Sequence, residues 1–250
     1  MYTLFIALVL AFGFLSLNFS CNCNEASKTA LQDSMVIAKE DVIDDEFLHQ
    51  EIQAKLTPDL VLDILKKRNQ EYVDDNLTIR NTSARIRKAS LGQYPGAVIL
   101  SCLDSRVPVE DVFHCGIGDL FVARVAGNIA NEDILGSLEY GCKVSGAKLL
   151  LVLGHEHCGA IKSAIDNVKL GNITALLSKI RPAVDSVKDF QGEKTSKNPK
   201  YMEAVTRQNI LNTIDLIRSQ SPILKEMEDK NEIKIVGAEY HMETGKVEFL

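Results

Sequence analysis

The chain contains no tryptophan, and aromatic residues make up only 6% of its 250 positions. It has no excess of basic charge either. Its 28 Lys and Arg are outnumbered by 34 Asp and Glu, for a formal net charge of −6. With no basic stripe interleaved with aromatics, the chain lacks the electrostatic footprint of a nucleic-acid binder. Cysteine is sparse as well. Six cysteines lie scattered along the chain rather than in the dense pattern of a small disulfide-stapled domain. No Cys-x-x-Cys occurs, which argues against a thiol redox protein. Long apolar runs are also missing: Leu4 to Leu17 is almost wholly apolar but shorter than the roughly 20 residues that span a bilayer.

That run has the size of a signal-peptide core instead. Ser20-Cys21 follows it, as at a bacterial lipoprotein cleavage site. Residues 1–20 are therefore expected to form a signal peptide, with Cys21 as the lipidated residue. A lipid there gives membrane attachment without a span. Plain cleavage and an uncleaved anchor are the alternatives. The expected location is outside the bacterial cytoplasm, periplasmic or as a membrane-anchored lipoprotein. Residues 21–55 are polar and acidic, with Asp41, Asp44, Asp45 and Glu46 close together, and read as a tether. An extra helix docked on the domain is the other reading. Residues 56–250 are about two hundred, enough for one sizeable α/β domain with a real core.

Within that domain, Thr57-Pro58 reads as an N-cap followed by Pro at the first helical position. A second helix is expected near Ala84 to Leu91. Ala97 to Leu100 is a continuous apolar run of the kind that forms a buried parallel strand. A short helix after Val107-Pro108, a strand from Asp119 to Val125 and a helix from Asp133 to Val144 follow. Ala147 to Leu153 is the third strand, and Cys158 opens a helix reaching about Leu170. Thr174 to Val187 is helical with a bend at Pro182, Gly192 to Pro199 is a polar loop, and Ala204 to Ser219 is a helix. A late strand covers Glu232 to Tyr240, and Lys246 to Leu250 hairpins back along the edge. Alternation of this kind predicts an α/β fold with a mostly parallel sheet flanked by helices.

Two short segments carry the chemistry: Ser101-Cys102-Leu103-Asp104-Ser105-Arg106 and Gly154-His155-Glu156-His157-Cys158-Gly159. Each begins where an apolar strand stops, and ligand sites in open α/β sheets gather at the carboxyl ends of strands. Cys102, His155 and Cys158 together are the ligand set of a catalytic zinc, with a fourth position left for water or a carboxylate. The three-residue separation of His155 and Cys158 at a helix start would return both to one face. Asp104 and Arg106, two apart in an extended segment, would pair. Glu156 and His157 read as solvent-facing, with a proton-carrying role as the alternative for His157. Cys115 reads as an apolar filler despite His114 beside it. Cys142 is expected to face the core, and Arg124 and Asn128 to brace the loops.

These residues resemble the β-class carbonic anhydrases, which carry a Cys-x-Asp-x-Arg segment followed by His-x-x-Cys-Gly. The resemblance extends through Asp119 to Asn128 and to Thr244-Gly245-Lys246-Val247, and covers roughly Leu56 to Leu250. It implies zinc-dependent reversible hydration of carbon dioxide to bicarbonate and a proton, with one Zn2+ per chain on Cys102, His155 and Cys158. The attacking species would be zinc-bound hydroxide. Asp104 and Arg106 would be catalytic, with Asp104 free to become the fourth zinc ligand if its pair with Arg106 breaks. The resemblance further implies amino-terminal helices packed across a homodimer or higher homo-oligomer. Some bacterial relatives have a bicarbonate-binding inhibitory site that uses a tryptophan, and this chain has none to offer. The alternatives are hydrolysis of carbonyl sulfide or carbon disulfide on the same scaffold, or a non-catalytic zinc-binding protein.

Overall fold

The computed structural model describes residues 48–76 and 82–250. The expected signal peptide, Cys21, Cys23 and most of the tether lie outside the described residues. Among the described residues, no helix is long and apolar enough to cross a membrane.

Five strands form one sheet: β1 (Ala97–Ser101), β2 (Leu120–Arg124), β3 (Leu149–His155), β4 (Lys234–Tyr240) and β5 (Val247–Phe249). Their order is β2-β1-β3-β4-β5. The first four run parallel, and β5 returns antiparallel to β4, as the mostly parallel expectation requires. Every residue of β1 and β3 is buried, which is why both read as unbroken apolar runs. Side chains alternate between the two faces. Ala97, Ile99, Leu149, Leu151 and Leu153 pack on one side, while Val98, Leu100, Leu150 and Val152 pack on the other. Each fully buried Leu or Ile contributes about 1.5–3 kcal/mol.

Helices α1 (Gln50–Gln53), α2 (Pro58–Val73), α3 (Thr82–Ala89) and α4 (Val109–Val112) precede or follow β1. Val61 and Leu65 of α2 and Val109 and Val112 of α4 cover the first face. Helix α1 corrects the end of the expected tether. Its buried Gln53 donates to Pro95 O at 2.9 Å and Ser145 O at 2.8 Å, so the chain is already packed on the domain before residue 55. Thr57 caps α2 as expected, accepting from Leu60 N at 3.2 Å.

Helix α5 (Glu132–Glu139) continues into a π-helical turn, Tyr140–Val144. A single α-helix to Val144 was expected. The widening falls where the backbone meets the sheet: a Cβ on Gly141 would lie 2.4 Å from Val98 Cγ2. Helix α6 (Gly159–Ile165) stops five residues short of Leu170, and α7 (Gly171–Ser186) runs through Pro182 as a single element. Helix α8 (Pro199–Gln220) begins five residues before the expected Ala204. Asn198 caps it and Pro199 occupies its first turn, a start signal that the polar loop reading overrode. Helix α9 (Pro222–Asp229) has the same form, with Ser221 as cap. Ile210, Ile214 and Ile217 of α8 and Leu224 and Met227 of α9 cover the second face. A third cluster, including Ile129, Ile161, Ile180, Tyr201 and Val205, lies around Cys102 and Cys158.

Candidate metal centre

The site forms at the carboxyl ends of β1, β2 and β3. Cys102 follows the last residue of β1, and His155 is the last residue of β3. All three candidate ligands are buried, and their ligand atoms lie within 4.8 Å of one another. Among the described residues this is the one grouping of His, Cys, Asp or Glu that could hold a metal ion. The two sulfurs are 3.8 Å apart.

The convergence of His155 and Cys158 has a different cause from the one their spacing suggested. They do not share a helix face. His155 ends a strand, His157 turns the chain with a φ of 54°, and Cys158 is the N-cap of α6. A strand end and a tight turn bring the two side chains together.

The His155 ring is oriented by its neighbour. Its Nδ1 lies 2.8 Å from Glu156 O, where a carbonyl can only accept. The proton is therefore on Nδ1, and Nε2 carries a free lone pair. That Nε2 is buried without a hydrogen-bond partner. Such an atom is costly to bury unless something binds it, so the donor set fits a metal ion.

Cys102 is also prepared for one. The Cys158 thiol beside it, and then the Gly127 N–H, hold its thiol well below the ordinary range despite burial. Gly127 N donates to Cys102 Sγ at 3.3 Å. Gly127 sits at a φ of 72°, and a Cβ there would meet Ile180 Cδ1 at 2.5 Å, so the approach depends on glycine. Cys158 is pushed up, first by its hydrogen bond to the Cys102 sulfur and then by burial. The pair gives up one proton easily and keeps the second until a cation compensates the charge.

Asp104 and Arg106 pair as expected, but within a turn rather than an extended segment. Val107 N donates to Asp104 O at 3.2 Å, and Arg106 N donates to Asp104 Oδ1 at 3.0 Å, an Asx-type arrangement. The guanidinium is bidentate: Nε donates to Oδ1 at 2.9 Å and Nη2 to Oδ2 at 2.8 Å. Arg106 holds the carboxyl well below the usual carboxylate range. Asp104 Oδ2 lies 3.9 Å from His155 Nε2. In this conformation Asp104 stands beside the Cys-His-Cys group, tied to Arg106, and is not among the assembled ligand atoms.

Arg124 braces both segments, donating through Nε to Cys102 O at 2.9 Å and through Nη2 to Asp104 O. Asn128 is buried and its carbonyl accepts from Thr213 on α8 at 3.4 Å. Cys142 faces the core, where burial pushes its thiol up to about 12. Cys115 is more than an apolar filler: its thiol donates to Phe113 O at 3.1 Å and receives Arg68 Nη1 at 3.2 Å. His157 is exposed, and its carbonyl lies 3.4 Å from Arg106 Nη2. Glu156 is not a free surface group. Its carboxylate binds His241 and Met242 N of the β4–β5 hairpin. No spacing in the sequence signals a contact across 85 residues.

A parallel sheet that presents two cysteines and a histidine at its carboxyl edge, next to an Asp-Arg pair, defines a metalloenzyme-type centre. Residues 97–247 match the family model described as carbonic anhydrase. The chain is 30% identical over 183 residues to carbonic anhydrase 2 of Mycobacterium tuberculosis, covering 73% of this chain and 87% of that protein. It is 34% identical over 169 residues to the carbonic anhydrase of Mycolicibacterium smegmatis, covering 65% and 79%. A solved β-carbonic anhydrase from Coccomyxa, in complex with acetazolamide, superposes with a TM-score of 0.61 at 25% identity, covering 76% of this chain and 86% of that one. The chain belongs to the β-class carbonic anhydrases and is an enzyme of that lyase family.

Proposed function

We propose that this enzyme hydrates carbon dioxide reversibly to bicarbonate and a proton, with one zinc ion per chain held by Cys102, His155 and Cys158. The observation that carries the reading is the buried, unpartnered His155 Nε2 beside two sulfurs 3.8 Å apart. Two sulfurs bound at about 2.3 Å to a tetrahedral zinc would stand about 3.8 Å from each other. Zinc in this position supplies water activation near neutral pH.

The surrounding residues account for the rest. Arg106 keeps Asp104 ionised and therefore an acceptor only. With both Asp104 oxygens occupied by the guanidinium, the carboxylate is withheld from the ligand group, which favours an open fourth position over a closed structural site. Its Oδ2, 3.9 Å from His155 Nε2, is the atom placed to accept a hydrogen bond from the attacking water or hydroxide and orient it. Arg124 fixes the backbone of both Cys102 and Asp104, so ligand and acceptor move together.

The reading extends to assembly and location. Strand β2 is a sheet edge, and Ile86, Tyr140 and Val144 are exposed apolar residues, which supports a homodimer. The apolar run and Ser20-Cys21 support a signal peptide over residues 1–20 and export, with lipid on Cys21. Light scattering and the mass of the mature amino terminus test these two points.

The function is tested by chelating the metal and measuring carbon dioxide hydration by stopped flow as zinc is returned. Activity should vanish with the metal and recover fully at one equivalent. Full zinc occupancy without hydration would overturn the reading.

A further inference from the structure

We infer that Glu156 is a positioning residue for the metal centre, and that His241 anchors it. The inference rests on the metal-centre reading above. Glu156 lies between two candidate ligands in sequence, yet its side chain turns to the β4–β5 hairpin. Three of its polar groups are held there: its N donates to Tyr240 O at 3.1 Å, its Oε2 accepts from Met242 N at 2.9 Å, and its Oε1 lies 3.0 Å from His241 Nδ1. The fourth, its carbonyl, accepts from His155 Nδ1. A residue pinned at three points thus aims the carbonyl that orients the ligand ring.

The same turn supports the other half of the site. The carbonyl of His157, the next residue, receives Arg106 Nη2, and that nitrogen also holds Asp104. One turn therefore sets His155 and the Asp104–Arg106 pair relative to each other. The anchor is built into three elements. His241 Nε2 lies 3.3 Å from Glu248 Oε2, and Glu248 accepts from Arg207 Nη2 of α8 at 2.6 Å. Outer partners of a ligating histidine fix its orientation, and losing one typically costs 10–100-fold in metal affinity.

The test measures zinc affinity by chelator competition on the full chain, together with the cobalt-substituted absorption spectrum and apoprotein melting. Glu156→Ala keeps the carbonyl that meets His155 but releases the side chain that aims it, so it should weaken zinc by about 10-fold, the low end of the outer-partner range, and shift the cobalt spectrum. Glu156→Gln should recover most of the affinity, because its amide oxygen accepts from Met242 N and its amide NH2 can donate to neutral His241 Nδ1. His241→Phe, at a partly exposed position, should weaken zinc by on the order of threefold to tenfold, a partial form of the same loss. If Glu156→Ala does not fold, His241→Phe decides alone. Unchanged zinc affinity in the folded variants, with only a lower melting temperature, would make Glu156 a hairpin clip and overturn the inference. Native protein that takes up no zinc would overturn the metal-centre reading, and the inference with it.

Discussion

Glu239 on β4 offers a sharp test of the electrostatics packed against the site's hairpin. It is fully buried, and neither carboxylate oxygen has a hydrogen-bond partner. Arg207 Nε lies 3.0 Å away, but burial dominates and pushes the carboxyl up to about 7 from the ordinary 4.5. Below about pH 4.5 the folded and unfolded chains both hold this proton. Between about 4.5 and 7 the unfolded chain gives it up and the folded one keeps it, so stability falls as pH rises. The gap is worth about 3 kcal/mol at about 1.4 kcal/mol per pH unit. Glu239→Gln removes the titration while keeping the shape. Native protein and variant, both zinc-saturated, should therefore diverge between pH 5 and 8 in thermal melts. The native protein should lose roughly 6–12 °C more than the variant, at about 2–4 °C per kcal/mol for a domain of this size. Parallel pH curves, or a variant that loses stability faster than native as pH rises, would refute the argument that burial outweighs Arg207.

Three further predictions follow from the site. Arg106→Ala should leave zinc per chain unchanged, since Arg106 hydrogen-bonds to none of Cys102, His155 and Cys158 and the released Asp104 can only add to the ligand set, while carbon dioxide hydration drops on the order of 100-fold or more; Arg106→Lys should not restore it, because an ammonium cannot form the bidentate pair. Cys158→Ala should weaken zinc beyond the roughly 100-fold that marks an outer-shell loss, measured by chelator competition. Gly127→Ala must adopt a φ of 72° and meets Ile180 Cδ1 at 2.5 Å, so chemical denaturation should show a loss of about 1–3 kcal/mol.

Much of this architecture was legible because of how it is buried. Strands β1 and β3 are enclosed on both faces, so no alternation interrupts their apolar runs. The Cys102–His155–Cys158 group was legible because Cys102 follows one such run, His155 ends the other and Cys158 comes just after it. Their local geometry was not. The Asp104–Arg106 pair depends on an Asx-type turn, and the His155–Cys158 approach on a left-handed His157; residue spacing records neither. The π-turn falls where Gly141 lies too close to Val98 of β1 to carry a Cβ, a tertiary contact that residue spacing does not record. The Glu156–His241 contact joins residues 85 apart, and nothing in Glu156's neighbours distinguishes it from a solvated side chain. Helix α8 is a different case: Asn198-Pro199 was a usable start signal, hidden by the polar residues around it.

The measurement that bears most directly on the metal centre is X-ray absorption at the zinc edge on protein that hydrates carbon dioxide. Zinc held by Cys102, His155 and Cys158 should show two sulfur ligands at about 2.3 Å, with the remaining nitrogen and oxygen ligands at about 2.0–2.2 Å. One sulfur or none, or four, would contradict the assignment of Cys102, His155 and Cys158.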